Sequence, residues 1–311
     1  MPEREDLLTA YRRCGGDEGA LADAETPHLL ALGHAILSMR EVSGLEVQTS
    51  VADDGITAEV VLHEDVRLNR PLHLCFGVLH AEGMQRITMR IHLKKHASAQ
   101  IVAHCVFPEA RKVQHIMNAM IELEAGAEMR YAETHFHGPY GGIEVLPKAM
   151  VRLGDRARYS ADFTLLEGRV GALGLDYEVT AGAESIAELS ARIFGHGRDV
   201  IALREKVVLN GENARGLIKT RIALEGEASA EVTGITEGNA AGARGHVDCT
   251  EIVRDKAIAK AVPIVHVTHP LAKVTHEAAI GSVDKKQLET LMAHGLSPEE
   301  AVDMIVKGIL R

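Results

Sequence analysis

Three residues near the end of the chain could together hold a soft metal: Cys249, His276 and Glu277. A thiolate beside an imidazole and a carboxylate can bind iron or zinc. Cys249 and His276 stand 27 residues apart, so they meet only if the chain returns on itself at about that interval. The alternative is a core cysteine and a surface histidine with no chemistry between them. A second thiol, Cys105, sits among apolar neighbours in Ala103-His104-Cys105-Val106-Phe107, and Cys75 precedes it by 30 residues. Buried, inert thiols are the default for both. His135 and His137 would share one face of a strand, a spacing also used by metal-binding cupins. Further ligands at the spacings a cupin needs cannot be assembled, so the pair reads as exposed strand histidines. No phosphate-binding loop is present: Gly168-Arg169-Val170-Gly171 lacks both the pattern and a following helix. There is no nucleophile elbow either.

The elements that must position these groups recur with a fixed interval. Gly126, Gly154, Gly182 and Gly211 stand 28, 28 and 29 residues apart, and each opens a turn leading into a strand-like run. Gly226 and Asp255, offset from that series, are again 29 apart. Short β-rich runs fill the intervals: Ile56–Leu62, Leu72–Leu79, Ile87–Leu93, Gln100–Val106, Phe163–Leu166 and Glu231–Ile235. Lys112 to Ala119 is ambiguous between a strand and a crossing loop. A repeat of this size, with no helix pattern inside it, suggests a β-helix, in which each turn stacks on the last at roughly 4.8 Å. An antiparallel sandwich with regular hairpins is the competing fold, and the scarcity of two-residue Asn-Gly or Asp-Gly turns counts against it. Cys105 to Cys249 would then span about five turns, on the order of 25 Å.

Helical patterns flank this region. Glu5 to Cys14 places Leu7, Leu8 and Tyr11 on one face, and a second helix is expected over residues 28–38 behind Thr26-Pro27. At the other end, Leu288, Leu291 and Met292 share a helical face. Ser297-Pro298-Glu299-Glu300 is a helix start followed by the stripe Val302, Ile305, Val306 and Ile309. The expected organisation is a helical segment over 1–43, a β-helix core over 44–283 and a helical pair over 284–311.

The bulk composition narrows the function classes. The chain has 311 residues and a net charge of −10, which argues against a nucleic-acid or anionic-membrane surface. Aromatic residues make up only 3%, with no Trp, which suits a thin aliphatic core. Four cysteines without a CxxC pair, a charged start at Met1-Pro2-Glu3-Arg4-Glu5-Asp6 and no long apolar run lead to the expectation of a cytoplasmic protein. Seventeen histidines is a high count that permits metal binding without establishing it.

With these residues in view, the chain resembles the SufB/SufD family of iron–sulfur cluster assembly scaffolds, in its short, archaeal-type form. The segment Gly245-His246-Val247-Asp248-Cys249, followed by Asp255-Lys256-Ala257, is similar to the family's cysteine strand and turn. Lys273-Val274-Thr275-His276-Glu277-Ala278 resembles its V-x-H-E-A motif, and residues 288–309 its terminal helix pair. Cys105-Val106-Phe107-Pro108 with Gln114-His115 resembles the segment of SufB that carries a sulfur-accepting cysteine. The resemblance implies a mainly β protein with a right-handed parallel β-helix core between helical terminal segments. It implies pairing through the ends of the β-helices, here as a homodimer, and docking of a SufC-like ABC ATPase on Leu288, Leu291, Met292, Val302 and Ile305. It further implies a transient iron–sulfur cluster on Cys249, His276 and Glu277, sulfur arriving at Cys105 from a donor protein, and delivery to apo acceptor proteins. Adjacent strand residues face opposite sides, so His276 is favoured over Glu277 as the ligand. The clustered N-terminal cysteines of bacterial SufB are missing, and flavin, bound by some complexes of that family, has no motif here. The chain itself is expected not to be an enzyme. Two rival readings remain: a β-helix enzyme acting on polysaccharide, against which the low aromatic content counts, and a purely structural solenoid that partners an ATPase without metal.

Overall fold

The structure is a computed structural model that describes residues 2–310. It is a two-walled parallel β-solenoid of about 8 turns with short helices near both termini. After helices α1 (Pro2–Arg13) and α2 (Glu18–Ala22), nineteen strands run from β1 (His28–Leu32) to β19 (Lys273–Gly281) among the described residues. From β4 (Gly55–Leu62) onward, successive strands alternate between the two walls. One wall has the order β19, β17 (Arg244–Val253), β15 (Arg215–Leu224), β13 (Ile186–Gly195), β11 (Arg158–Glu167), β9 (Glu128–His137), β7 (Ser98–Phe107), β5 (Leu72–Gly77), β1, β2 (Ala35–Arg40), and the other β18 (Ile258–Val267), β16 (Ser229–Gly238), β14 (Val200–Leu209), β12 (Gly171–Ala181), β10 (Ile143–Leu153), β8 (Lys112–Leu123), β6 (Glu82–Leu93), β4, β3 (Leu45–Ala52). From β7 onward, strand residues sit in register with ones about 28 to 30 places later, as in the column Cys105–His135–Leu165–Ile193–Ile222–Glu251–Ile280.

The strands form because apolar residues alternate with polar ones over ten or so positions, as in β9 (Glu128–His137) and β13 (Ile186–Gly195). Inward side chains of the two walls meet in one continuous core of Val, Ile, Leu and Ala with a few rings such as Phe107 and Phe163. Of the recurrent glycines, Gly126 takes the left-handed backbone itself, with φ of 71°, while Gly154, Gly182 and Gly211 serve close backbone stacking in the later turns. A side chain at Gly211 would place its Cβ 2.0 Å from the backbone nitrogen of Ala183, one turn below. The left-handed backbone in those later turns belongs to other residues: Arg156, Glu184 and Asn213, with φ of 59°, 56° and 58°.

Two sequence expectations change here. The helix expected over 28–38 is a hairpin, β1 paired antiparallel with β2 (Ala35–Arg40), and β1 also pairs in parallel with β5 (Leu72–Gly77). Residues 28–31 are buried on both faces, and such a run has no period to separate strand from helix. The ambiguous stretch from Lys112 is a full strand, β8 (Lys112–Leu123), whose inward His115 breaks the apolar alternation.

The helices lie on the outer face of the odd-numbered wall. Leu7, Tyr11 and Cys14 of the N-terminal segment pack over Cys75, Val106 and Phe136. At the other end, α3 (Lys285–Ala293) leads to α4 (Pro298–Ile309), where Val306, Leu310 and Val302 cover Ala223, Phe194 and Leu166. Neither C-terminal helix covers the last turn, β18 (Ile258–Val267) and β19, which carries no buried residue. Among the described residues, no helix is long and apolar enough to cross a membrane.

Candidate functional site

Register fixes which side chains reach the open last turn. Cys249 lies on β17 (Arg244–Val253), opposite Thr220 on one side and Ala278 on the other, and it points into the solenoid, 2% exposed. His276 is opposite Val247, which is fully buried, so His276 takes an inward position diagonal to Cys249. The two Cα atoms of such a diagonal pair lie roughly 8 Å apart. Glu277 is opposite Asp248 and belongs to the outer face. His276 is exposed because nothing stacks beyond β19. The inward positions around it, Val265 and Val267 on β18 and Ile280 on β19, are likewise open, at 40%, 45% and 47% exposure. The solenoid therefore ends in an apolar mouth, with Cys249 one strand inside it and His276 on its rim.

Burial pushes the Cys249 thiol up to about 12, and the nearby carboxylates of Glu251 and Glu205 add to this, while the hydrogen bond with Thr220 works against it. The free thiol is thus protonated at neutral pH, and a metal must displace its proton to bind. Glu251 is fully buried, both its oxygens lack partners, and burial raises it to about 7.

A line of polar groups leads inward from this site through an otherwise apolar core. Thr220, in register with Cys249 on the neighbouring strand, donates a 2.8 Å hydrogen bond to Glu205, a carboxyl that burial raises to about 7. Glu205 is in register with Tyr177 on β12 (Gly171–Ala181), one strand spacing of roughly 4.8 Å away. The Tyr177 hydroxyl donates to Glu133 at 3.4 Å, and Glu133 lies 3.8 Å from the sulfur of Cys105. Five strand spacings, roughly 24 Å, separate the two thiols.

At the far end of this line, Cys105 on β7 (Ser98–Phe107) is fully buried. His115 Nε2 from the facing wall is 3.7 Å from its sulfur. Glu133 Oε1 makes a 2.7 Å hydrogen bond with His135 Nε2, and His135 Nδ1 is 3.2 Å from His137 Nε2. Burial drives the Cys105 thiol well up, helped by the Glu133 charge, and lowers His115 to about 3. Burial is the largest single influence and would raise Glu133, but its bond to His135 and the His135 and His115 charges together outweigh it and hold the carboxyl below its ordinary value. The expectation of exposed strand histidines is overturned: His135 and His137 are each only 2% exposed. They continue the inward parity of Met129 and Tyr131, a period-two signal legible in the sequence.

Residues 78–309 match the family model described as the SUF system FeS cluster assembly, SufBD core domain. An iron–sulfur cluster assembly SufBD family protein of Methanocaldococcus jannaschii is 35% identical over 305 residues, covering 98% of this chain and 96% of the relative. One from Pyrococcus horikoshii is 31% identical, covering 100% and 94%. The chain belongs to the SufBD family. The iron–sulfur cluster assembly protein SufB of Bacillus subtilis shares 35% identity over a shorter stretch of 72 residues, 23% of this chain and 16% of SufB.

Within this SufBD chain the residues singled out for docking divide in two. Ile305 is buried and Val302 half-buried, Val302 being packed against the solenoid flank. Leu288 and Leu291 are half-buried, while Met292 and the neighbouring Met304 are exposed at 40% and 51%. The residues that sequence reasoning missed are Glu133, His115, Tyr177, Glu205, Thr220 and Glu251. Each occupies an inward position where alternation calls for an apolar residue, and that mismatch was the available signal.

Proposed function

We propose that this SufBD protein is a scaffold on which an iron–sulfur cluster is assembled at the open last turn, in the seam between two copies of the chain. Cys249 supplies the thiolate, a soft donor suited to iron–sulfide, and His276 an exchangeable nitrogen ligand. Glu277 faces outward by register and serves only if the strand end rearranges when the second copy docks. Two open edge strands with exposed apolar inward positions favour a second copy as the cover, since an unpaired sheet edge is a template for strand addition. Sulfur from a donor protein enters at Cys105 and reaches Cys249 along the interior, and the finished cluster passes to acceptor proteins.

The observation that carries this reading is the polar line Cys105–Glu133–Tyr177–Glu205–Thr220–Cys249. An apolar core has no structural need for it, and buried polar groups are costly unless used. The Tyr177 and Thr220 hydroxyls stand along this line, donating to Glu133 and Glu205. ATP hydrolysis belongs to a SufC-like ABC ATPase docked on the C-terminal helix pair through Leu288, Leu291 and Met292, and the chain itself is not an enzyme. The setting is the cytoplasm.

Anaerobic reconstitution with iron and sulfide tests the assignment. Cys249→Ala is expected to lose most of the visible cluster absorbance and His276→Ala part of it. Unchanged absorbance in Cys249→Ala refutes the assignment. A pull-down of the ATPase that survives deletion of residues 284–311 refutes the docking claim.

A further inference from the structure

The cluster around Cys105 has more ligand chemistry than a sulfur-accepting thiol requires. Cys105, Glu133 and His135 present sulfur, oxygen and nitrogen donors that all lie within 4.8 Å of one another, and all three residues are buried. In a tetrahedral site with metal–sulfur bonds of about 2.3 Å and metal–oxygen or –nitrogen bonds of about 2.0–2.1 Å, sulfur and its neighbouring donor stand roughly 3.6 Å apart. Cys105 Sγ is 3.8 Å from Glu133 Oε1 and 3.7 Å from His115 Nε2. Glu133 and His135, at 2.7 Å, share a hydrogen bond where an ion would sit between them, and must part by roughly half an ångström to admit it. His137 steadies the other nitrogen of the His135 ring, the arrangement that orients ligating histidines.

We propose that Cys105, Glu133 and His135 form an interior site for one divalent transition ion of the iron(II) or zinc class, with the fourth position open to His115, which approaches the sulfur from the facing wall and swings in to complete the set. Charge favours this ion class: a thiolate and a carboxylate neutralise a dication, so the loaded site adds no net charge to an apolar core. The thiol proton is released to solvent as the sulfur–metal bond forms. A purely structural network explains the site less well, because His115 Nδ1, His137 Nδ1 and the Tyr131 hydroxyl are buried without partners there. A cavity of about 10 Å³ lined by Glu133, Tyr131, Tyr159 and Tyr177 lies alongside, close to the room one water needs. The proposal concerns the resting occupant of the site and does not depend on sulfur entering there. Sulfur arrival is read separately, as persulfide mass on Cys105.

The test uses the full chain carrying Cys249→Ala and His276→Ala, which removes the ligands at the open mouth. A sealed site loads while the chain folds, so cobalt(II) is supplied both during expression and to chain refolded from denaturant. The expected result is one cobalt per chain with a thiolate-to-cobalt charge-transfer band, displaced when zinc or iron(II) competes during refolding. The order of displacement separates the two natural candidates. Cys105→Ala should abolish the band, and Glu133→Gln and His135→Gln should each weaken binding more than tenfold with an unchanged circular dichroism spectrum. No bound ion under either loading condition overturns the proposal, as does a band that survives Cys105→Ala. If Cys105→Ala fails to fold, the Glu133→Gln and His135→Gln affinities decide in its place, and unchanged affinity in both overturns the proposal.

Discussion

The two ends of the solenoid are built from the same strand and finished in opposite ways. At the first turns, hairpin β1–β2 and strand β3 (Leu45–Ala52) close the walls, α1 lies along the flank, and every residue of β5 is buried. At the last turn, β18 and β19 keep the inward-facing pattern but have nothing against them. Val265 and Val267 hold core positions by register yet face solvent. A repeat fold needs a cap at each end, because every turn leaves one apolar face for the next. The first end carries its own cap, whereas the second presents a core cut open, and that is the end that holds Cys249 and His276.

Apolar truncation should separate the two kinds of inward position most strongly. Phe163→Ala, deep in the stack, is expected to lower unfolding free energy by about 3–5 kcal/mol in denaturant titration. A loss below about 1 kcal/mol would mean the interior is loosely packed.

Next in size is a pH effect from the polar line. The Glu205 carboxyl rises from 4.5 unfolded to about 7 folded. The folded chain therefore binds more protons than the unfolded one, so this group's stabilising effect is present below about pH 4.5 and is lost as pH rises through about 7. The full difference is on the order of 3 kcal/mol. Glu205→Gln should accordingly flatten the fall in stability between pH 5 and pH 8 measured by urea unfolding. An unaltered pH profile would show that Glu205 is not held neutral by its surroundings.

A smaller effect belongs to the flank. Ser297 caps α4 in a reciprocal pair with Glu300. Ser297→Ala should cost about 1 kcal/mol, read as faster amide exchange confined to α4. Exchange that changes across the whole solenoid would show that α4 and the stack unfold together. The smallest expected change is at the mouth, where Val265→Ala should alter the stability of the single chain by less than about 0.5 kcal/mol. The same change should still weaken self-association in sedimentation. A large loss of single-chain stability would mean the mouth is already covered within one chain.

Much of this was legible in the sequence because a solenoid repeats itself. The 28- and 29-residue intervals between Gly154, Gly182 and Gly211 come from close backbone stacking at one corner, Gly126 holds the left-handed position of that corner, and each intervening strand shows its period of two. The ordering of Cys249, His276 and Glu277 around the mouth follows from strand parity. The interior cluster was harder to see. His135 and His137 are polar residues at core positions, and polarity alone suggested the outside. Only the run of inward positions from Met129 showed otherwise. Tyr177 and Glu133 meet across the two walls, 44 residues apart, a contact set by the facing of the walls and not by any local motif. The first strands misled because burial on both faces erases periodicity.

The central claim is that the cluster forms where two open ends meet. Size-exclusion chromatography of the reconstituted full chain, with in-line light scattering and visible absorbance, tests it directly. Cluster absorbance is expected to travel with a species of two chains and to disappear when that species is dissociated. Cluster absorbance on a single chain would contradict it.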